Sequence, residues 1–164
     1  MRYTDQFSYD VTTSSPAAVS HWNAAVNAFL AHGKDTPLHL EKALEADPDF
    51  ALAHATRGLF CLLLGRRELV ATAWECWRTA ENAAQQGHLT SRETAVLGAL
   101  KDWLDGWPSR SGERLNRALS EAPRDALLLK LVHAIRFVLG DSEGMHTSIE
   151  SVIGSYDAEH PSYG

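Results

Sequence analysis

Apolar residues recur along this chain at steps of three and four. Short clusters of glycine, proline and aspartate interrupt them at regular intervals, and the pattern predicts one helix after another. Ser15 followed by Pro16 is a start signal, after which Trp22, Val26, Phe29 and Leu30 mark one face as far as Gly33. Thr36 and Pro37 repeat the signal for a short second helix, striped by Leu40, Ala43 and Leu44 and stopped at Asp47-Pro48. A third helix, over 49–64, is apolar nearly all round and is predicted to lie buried at the centre. The fourth runs over 67–86. Thr90 and Glu93 have the spacing of a capping box and open the fifth, which reaches Asp105. The stretch "GWPSRSG" reads as a break, so the sixth helix is expected over 112–121, the seventh over 125–139 with Gly140 as its cap, and the eighth over 142–154. No strand is read. The organisation expected is a polar segment over 1–14, a helical domain over 15–155 and an irregular tail over 156–164.

One passage is written twice. "LEKALEADPDFALAHATRGLFCLLLG" begins at Leu40, and "LNRALSEAPRDALLLKLVHAIRFVLG" begins at Leu115, an offset of 75 that also matches Ala43, Leu44, Pro48, Ala51, Leu64 and Gly65 to their counterparts. Two helical hairpins of roughly 34–40 residues would fill that interval, the length of tetratricopeptide-like repeats. The fold class expected is therefore all-α, a right-handed α-solenoid of antiparallel hairpins with about eight helices. A hairpin cannot bury both of its faces alone, so the repeated Ala and Leu positions are structural, with Ala51, Ala55 and Gly58 allowing close helix contact.

Composition narrows the function. A chain of 164 residues suits one domain, and its formal charge of −6 argues against nucleic acid as a partner. No apolar run is long enough for a membrane span, and "MRYTDQFSYDVTTSS" lacks the apolar core of a secretion signal, so a cytoplasmic protein is expected. Cys61 and Cys76, inside apolar helical segments, read as buried thiols of a reducing compartment. Arg110, Arg114 and Arg117 lie among Glu113, Glu121 and Asp125 and read as a solvated, ion-paired face. Glu41 and Glu45, beside Lys42, read the same way.

No phosphate loop, CxxC, HExxH, calcium loop or GxSxG occurs, so the chain is expected to be no enzyme and to need no cofactor. Eight histidines are present, but no two stand at i, i+4, and no metal site is expected. Lys130, His133 and Phe137 share one helix face and would form part of a concave wall. Trp74 with Trp77, and Trp103 with Trp107, are close enough to share a groove, as interface anchors or as core.

"VTTSSPAAVSHWNAAVNAFL", "ADPDFALAHATRGLF", "SRETAVLGALKDWLDG", "PRDALLLKLVHAIRFVLGDSEGM" and "HPSYG" together resemble, in order, the tetratricopeptide repeat protein 38 family. The resemblance implies an α-α superhelix and places His54 and His133 where that family commonly carries histidine. Ala134 stands where some members have an aspartate. Longer members continue beyond "HPSYG", so the chain resembles their N-terminal part, and its last helix pair would present an edge open to self-association. The expected function is a non-catalytic scaffold that binds a protein or peptide through a concave groove, with His54, Arg57, Lys130, His133 and Phe137 as groove candidates. The alternative is the N-terminal fragment of a larger enzyme or small-molecule-binding repeat protein whose site includes His54 and His133.

Overall fold

The computed structural model of the chain describes residues 2–162; residue 1 of the polar segment and residues 163–164 of the tail lie outside it. It is all-α apart from one small hairpin. Among the described residues eight α-helices follow one another: α1 Pro16–Leu30, α2 Thr36–Ala46, α3 Ala51–Leu63, α4 Val70–Gln86, α5 Ser91–Leu104, α6 Pro108–Glu121, α7 Ala126–Leu139 and α8 Ser142–Val152. Single tight turns at Arg67–Leu69 and Ile153–Ser155 precede α4 and follow α8. None of these helices is long and apolar enough to cross a membrane.

The helix ends follow their local chemistry. Ser15 Oγ accepts from the Ala18 amide, Asp125 from Leu128 and Asp141 from Gly144, each occupying a donor left free in a first turn. The Thr90–Glu93 capping box forms in both directions. Gly140, at φ 73°, closes α7 in the left-handed region that glycine enters without a Cβ clash. One boundary differs from the sequence reading: α6 starts at Pro108, so most of "GWPSRSG" is helix. Proline suits a first helical turn, and the small residues after it serve packing, with Ser111 fully buried and a Cβ on Gly112 falling 3.3 Å from Ile135 of α7.

The second difference is the N-terminal segment. Strands β1 (Arg2–Thr4) and β2 (Asp10–Thr12) pair antiparallel, with Tyr3 opposite Val11. Asp5 makes the turn between them by accepting from the amides of Phe7 (2.9 Å) and Tyr9 (3.1 Å), while Ser8 takes a left-handed φ of 66°. Phe7 and Val11 reach the core. The tail after α8 is irregular and yet packed: His160 stacks on Phe7 at 5.6 Å and against Tyr156 at 4.1 Å, and its Nε2 lies 2.8 Å from the Arg124 carbonyl oxygen.

Helix α3 is central, touching α2, α4, α5 and α7. A Cβ on Gly58 would stand 2.5 Å from Leu100 Cδ2 of α5 and 3.3 Å from Cys76 Cβ of α4, so the absent side chain is what lets three helices meet. Helix α7 turns back to touch α1 as well as α3, which stacking of nearest neighbours alone would not produce.

Buried charge fixes the remaining geometry. Arg92, 7% exposed, lies 2.5 Å by Nε from Asp125 Oδ2 and 2.8 Å by Nη1 from Asp5 Oδ2, with its guanidinium 5.4 Å from the Tyr9 ring centre. Arg92→Met strands two buried carboxylates, so a loss of about 3–5 kcal/mol is expected in chemical denaturation. A change within about 0.5 kcal/mol would mean the triad is not holding the fold. Leu100 is itself fully buried, so a shift of its methyls must be taken up by close-packed neighbours, and Gly58→Ala should cost about 1–3 kcal/mol on the same measurement.

Candidate functional site

Helix α7 is apolar on two sides. Leu127, Leu128, Leu131, Val132 and Ile135 are buried in the core, while Ala126, Leu129, Lys130, His133, Ala134, Phe137 and Val138 form a second stripe at helical spacing. That stripe is one wall of a groove of about 830 Å³. The end of α1 supplies Phe29 and Leu30, His32 follows them, the end of α3 supplies Leu63, α8 supplies Met145 and Ile149, and the tail supplies Tyr156. The spacing of Lys130, His133 and Phe137 is thus realised as a shared wall.

Lys130 has a structural task in that wall. Its Nζ donates to the carbonyl oxygens of Phe29 (2.7 Å) and Leu30 (2.8 Å) at the C-terminal end of α1, where a cation suits the helix dipole, and it lies 4.9 Å over the Phe29 ring. The same ammonium is 3.2 Å from Nε2 of His32, a residue held at a left-handed φ of 55°. Burial lowers the Lys130 pKa.

Two polar atoms of the lining have no hydrogen-bond partner among the described residues, His133 Nε2 and Tyr156 Oη. Burial lowers the pKa of His133, against the opposing pull of the Met145 backbone carbonyl. Burial likewise pushes the Tyr156 phenol up to about 12, so it stays a hydroxyl donor. Phe137, 74% exposed, and Val138, 56% exposed, leave the outer wall open to solvent.

His54 does not line this groove. It sits in the first turn of α3 with Nε2 2.8 Å from the Pro48 carbonyl oxygen, and burial, with the nearby charge of Arg57, lowers its pKa. Arg57 is exposed and also lies outside the groove lining. The tryptophans form a different surface. Trp74 and Trp77 meet edge-on at 5.8 Å with Lys101 Nζ 5.5 Å and 5.3 Å from their ring centres, while Trp103 is half-buried and Trp107 exposed. Cys76 is buried and its thiol is pushed up to about 11; Cys61 is half-buried and also raised, both by desolvation.

The arginine face pairs differently from its reading. Arg110 and Arg114 both reach Asp102 of α5, at 3.1 Å and 2.7 Å, rather than acids of their own helix. Among the described residues, no three of His, Cys, Asp and Glu gather as a metal site would need. His32, Met145 and Tyr156 were not among the residues singled out from sequence, because each enters the groove from an element whose position depends on the return of α7 to α1. No family model matches the chain, and no solved structure matches it.

His54 and His133 share one consequence. Both are held below the ordinary histidine value of about 6.5, so the unfolded chain binds more protons than the folded one as pH falls through that value. The stability they contribute is present above about pH 6.5 and is lost as pH drops through their folded values. The urea midpoint should therefore fall between about pH 7 and about pH 5, and His54→Gln combined with His133→Gln should flatten that fall. An identical slope in the double variant would exclude the two imidazoles as its source.

Proposed function

We propose that the chain is a non-catalytic helical-repeat scaffold, a short right-handed α-solenoid of the kind its resemblance to the tetratricopeptide repeat protein 38 family implies. Its groove along α7 takes an apolar segment of a protein or peptide partner. The observation that carries the reading is the outer stripe of α7. Phe137 and Val138 stand in solvent beside a groove of about 830 Å³, and exposed Ile149 of α8 faces the same space. An exposed apolar surface of that kind is where soluble proteins take partners.

Successive packing of α1 on α2, α3 on α4, and α5 on α6 supports the repeat reading, as does the duplicated passage. A cytoplasmic setting fits the two free thiols. The alternative, a small-molecule site shared by His54 and His133, is weaker because His54 is bonded to Pro48 and lies outside the groove lining.

The test uses an array of end-blocked peptides with permuted leucine and phenylalanine anchors, read by fluorescence polarisation. Wild type should bind a subset, and Phe137→Ser should weaken that binding at least about tenfold with the melting temperature unchanged, since the ring is mostly in solvent. Failure of wild type to bind any peptide, or equal binding by Phe137→Ser, would remove the groove as the working surface.

A further inference from the structure

The apolar surface left in water is concentrated at one face. Among the described residues, the end of α7 exposes Phe137, Val138 and Leu139 in succession, and α8 with the turn after it exposes Ile149 and Ile153 at helical spacing. Phe137, Val138 and Ile149 also line the groove, so patch and groove form one surface. At about 200 Å² for a large apolar residue, the exposed fractions of these five give roughly 550 Å² per copy before the groove walls are added. Two such faces pressed together remove about 1,100 Å², above the roughly 1,000 Å² that a biological interface needs.

We infer that the groove receives the α7 end of a second copy of this chain, in a two-fold pair. This rests on the groove being the partner-binding surface, and it names the partner. A two-fold contact sets a face against itself, so whatever one copy offers the other must receive. This face offers a projecting ring, Phe137 at 74% exposed, beside a cavity of about 830 Å³ walled by half-buried Phe29, Leu63 and Leu129. Knob and hole therefore lie on the same surface, and an aromatic anchor in a desolvated pocket is the contact that dominates small interfaces. Charge points the same way. The chain carries a formal charge of −6, which sets two copies against each other over most approaches. Over 126–153, the stretch that spans α7 and α8, two cations, Lys130 and Arg136, stand against three acids, Asp141, Glu143 and Glu150. That stretch is within one unit of neutral. Arg136 is already met by Asp141 at 3.8 Å, and the Lys130 ammonium is held inside its own copy by the carbonyls of Phe29 and Leu30. Two copies can thus meet here with little of the repulsion that the rest of the surface supplies.

Sedimentation equilibrium of the full chain, from about 1 to about 500 µM, should show a reversible monomer–dimer equilibrium. Phe137→Ser should weaken the pairing at least about tenfold, with the melting temperature unchanged at a concentration where both chains are monomeric. Leu38→Ser removes an apolar side chain that is 47% exposed on α2, outside the groove lining, and should pair as wild type does. A wild type that stays monomeric throughout, a dimer indifferent to Phe137→Ser, or equal weakening by Leu38→Ser would overturn the pairing. The end-blocked peptides separate that failure from failure of the groove itself. A monomeric wild type that binds them keeps the groove as a peptide site, and one that binds none overturns both readings.

Discussion

The arrangement of this molecule depends on one buried guanidinium. Arg92, near the start of α5, stands between Asp5 of the N-terminal hairpin and Asp125 at the head of α7, so three elements far apart in sequence meet at one charge. Such a group stabilises only while its partners are present, because an unpaired buried charge costs several kcal/mol. Burial raises the pKa of Asp125 against the pull of Arg92, and the two carboxylates hold the guanidinium still more firmly charged. Asp125 also caps α7 through the Leu128 amide. The direction in which α7 leaves the core, and therefore the orientation of the groove wall, is set at that point.

The same device recurs at each junction between helix pairs. At α2–α3, Asp47 accepts from the Thr13 hydroxyl, from the Ser14 amide at 2.7 Å and from the Asp49 amide at 3.1 Å. Burial raises its pKa, and those bonds outweigh it to leave the carboxylate below its usual range. At α4–α5, Glu93 completes the capping box and also accepts from the Thr12 amide at 2.6 Å and its hydroxyl at 2.8 Å. At α6–α7 the acid is Asp125. Each carboxylate serves both a local turn and a docking contact; residues of the first fourteen supply the other half for Asp47 and Glu93, and for Asp125 it is Arg92, which itself pairs with Asp5. The N-terminal segment is thus a strap across the junctions, although its composition is polar.

How much of this was legible follows from the range of each interaction. Helix periodicity, the Thr90–Glu93 box and the need for a small residue at Gly58 are set by neighbours one turn away or by close contact, and the sequence carries them directly. The hairpin was not legible, since three-residue strands offer no alternation to detect and the polar residues of its segment are satisfied by partners such as Glu93, 81 positions from Thr12. Lys130, His133 and Phe137 could be placed on one face from spacing alone. What they face could not, because Phe29, Met145 and Tyr156 come from the end of α1, from α8 and from an aperiodic tail. His54 was singled out because it breaks the repeat; its imidazole is answered by the carbonyl of Pro48, the junction proline that the repeat does preserve.

The exposed side of α7 cannot be relieved by rearrangement of the helix itself. A rotation that hid Phe137 and Val138 would bring Leu128, Leu131 or Ile135 toward water, and these are fully buried against the rest of the core. At about 25 cal/mol per Å² of apolar surface, that exchange gains nothing and would break the close fit of Ile135 over Gly112. It would also withdraw Lys130 from the carbonyls of Phe29 and Leu30 and turn Asp125 away from Arg92. Packing, capping and buried charge therefore all hold the outer stripe outward.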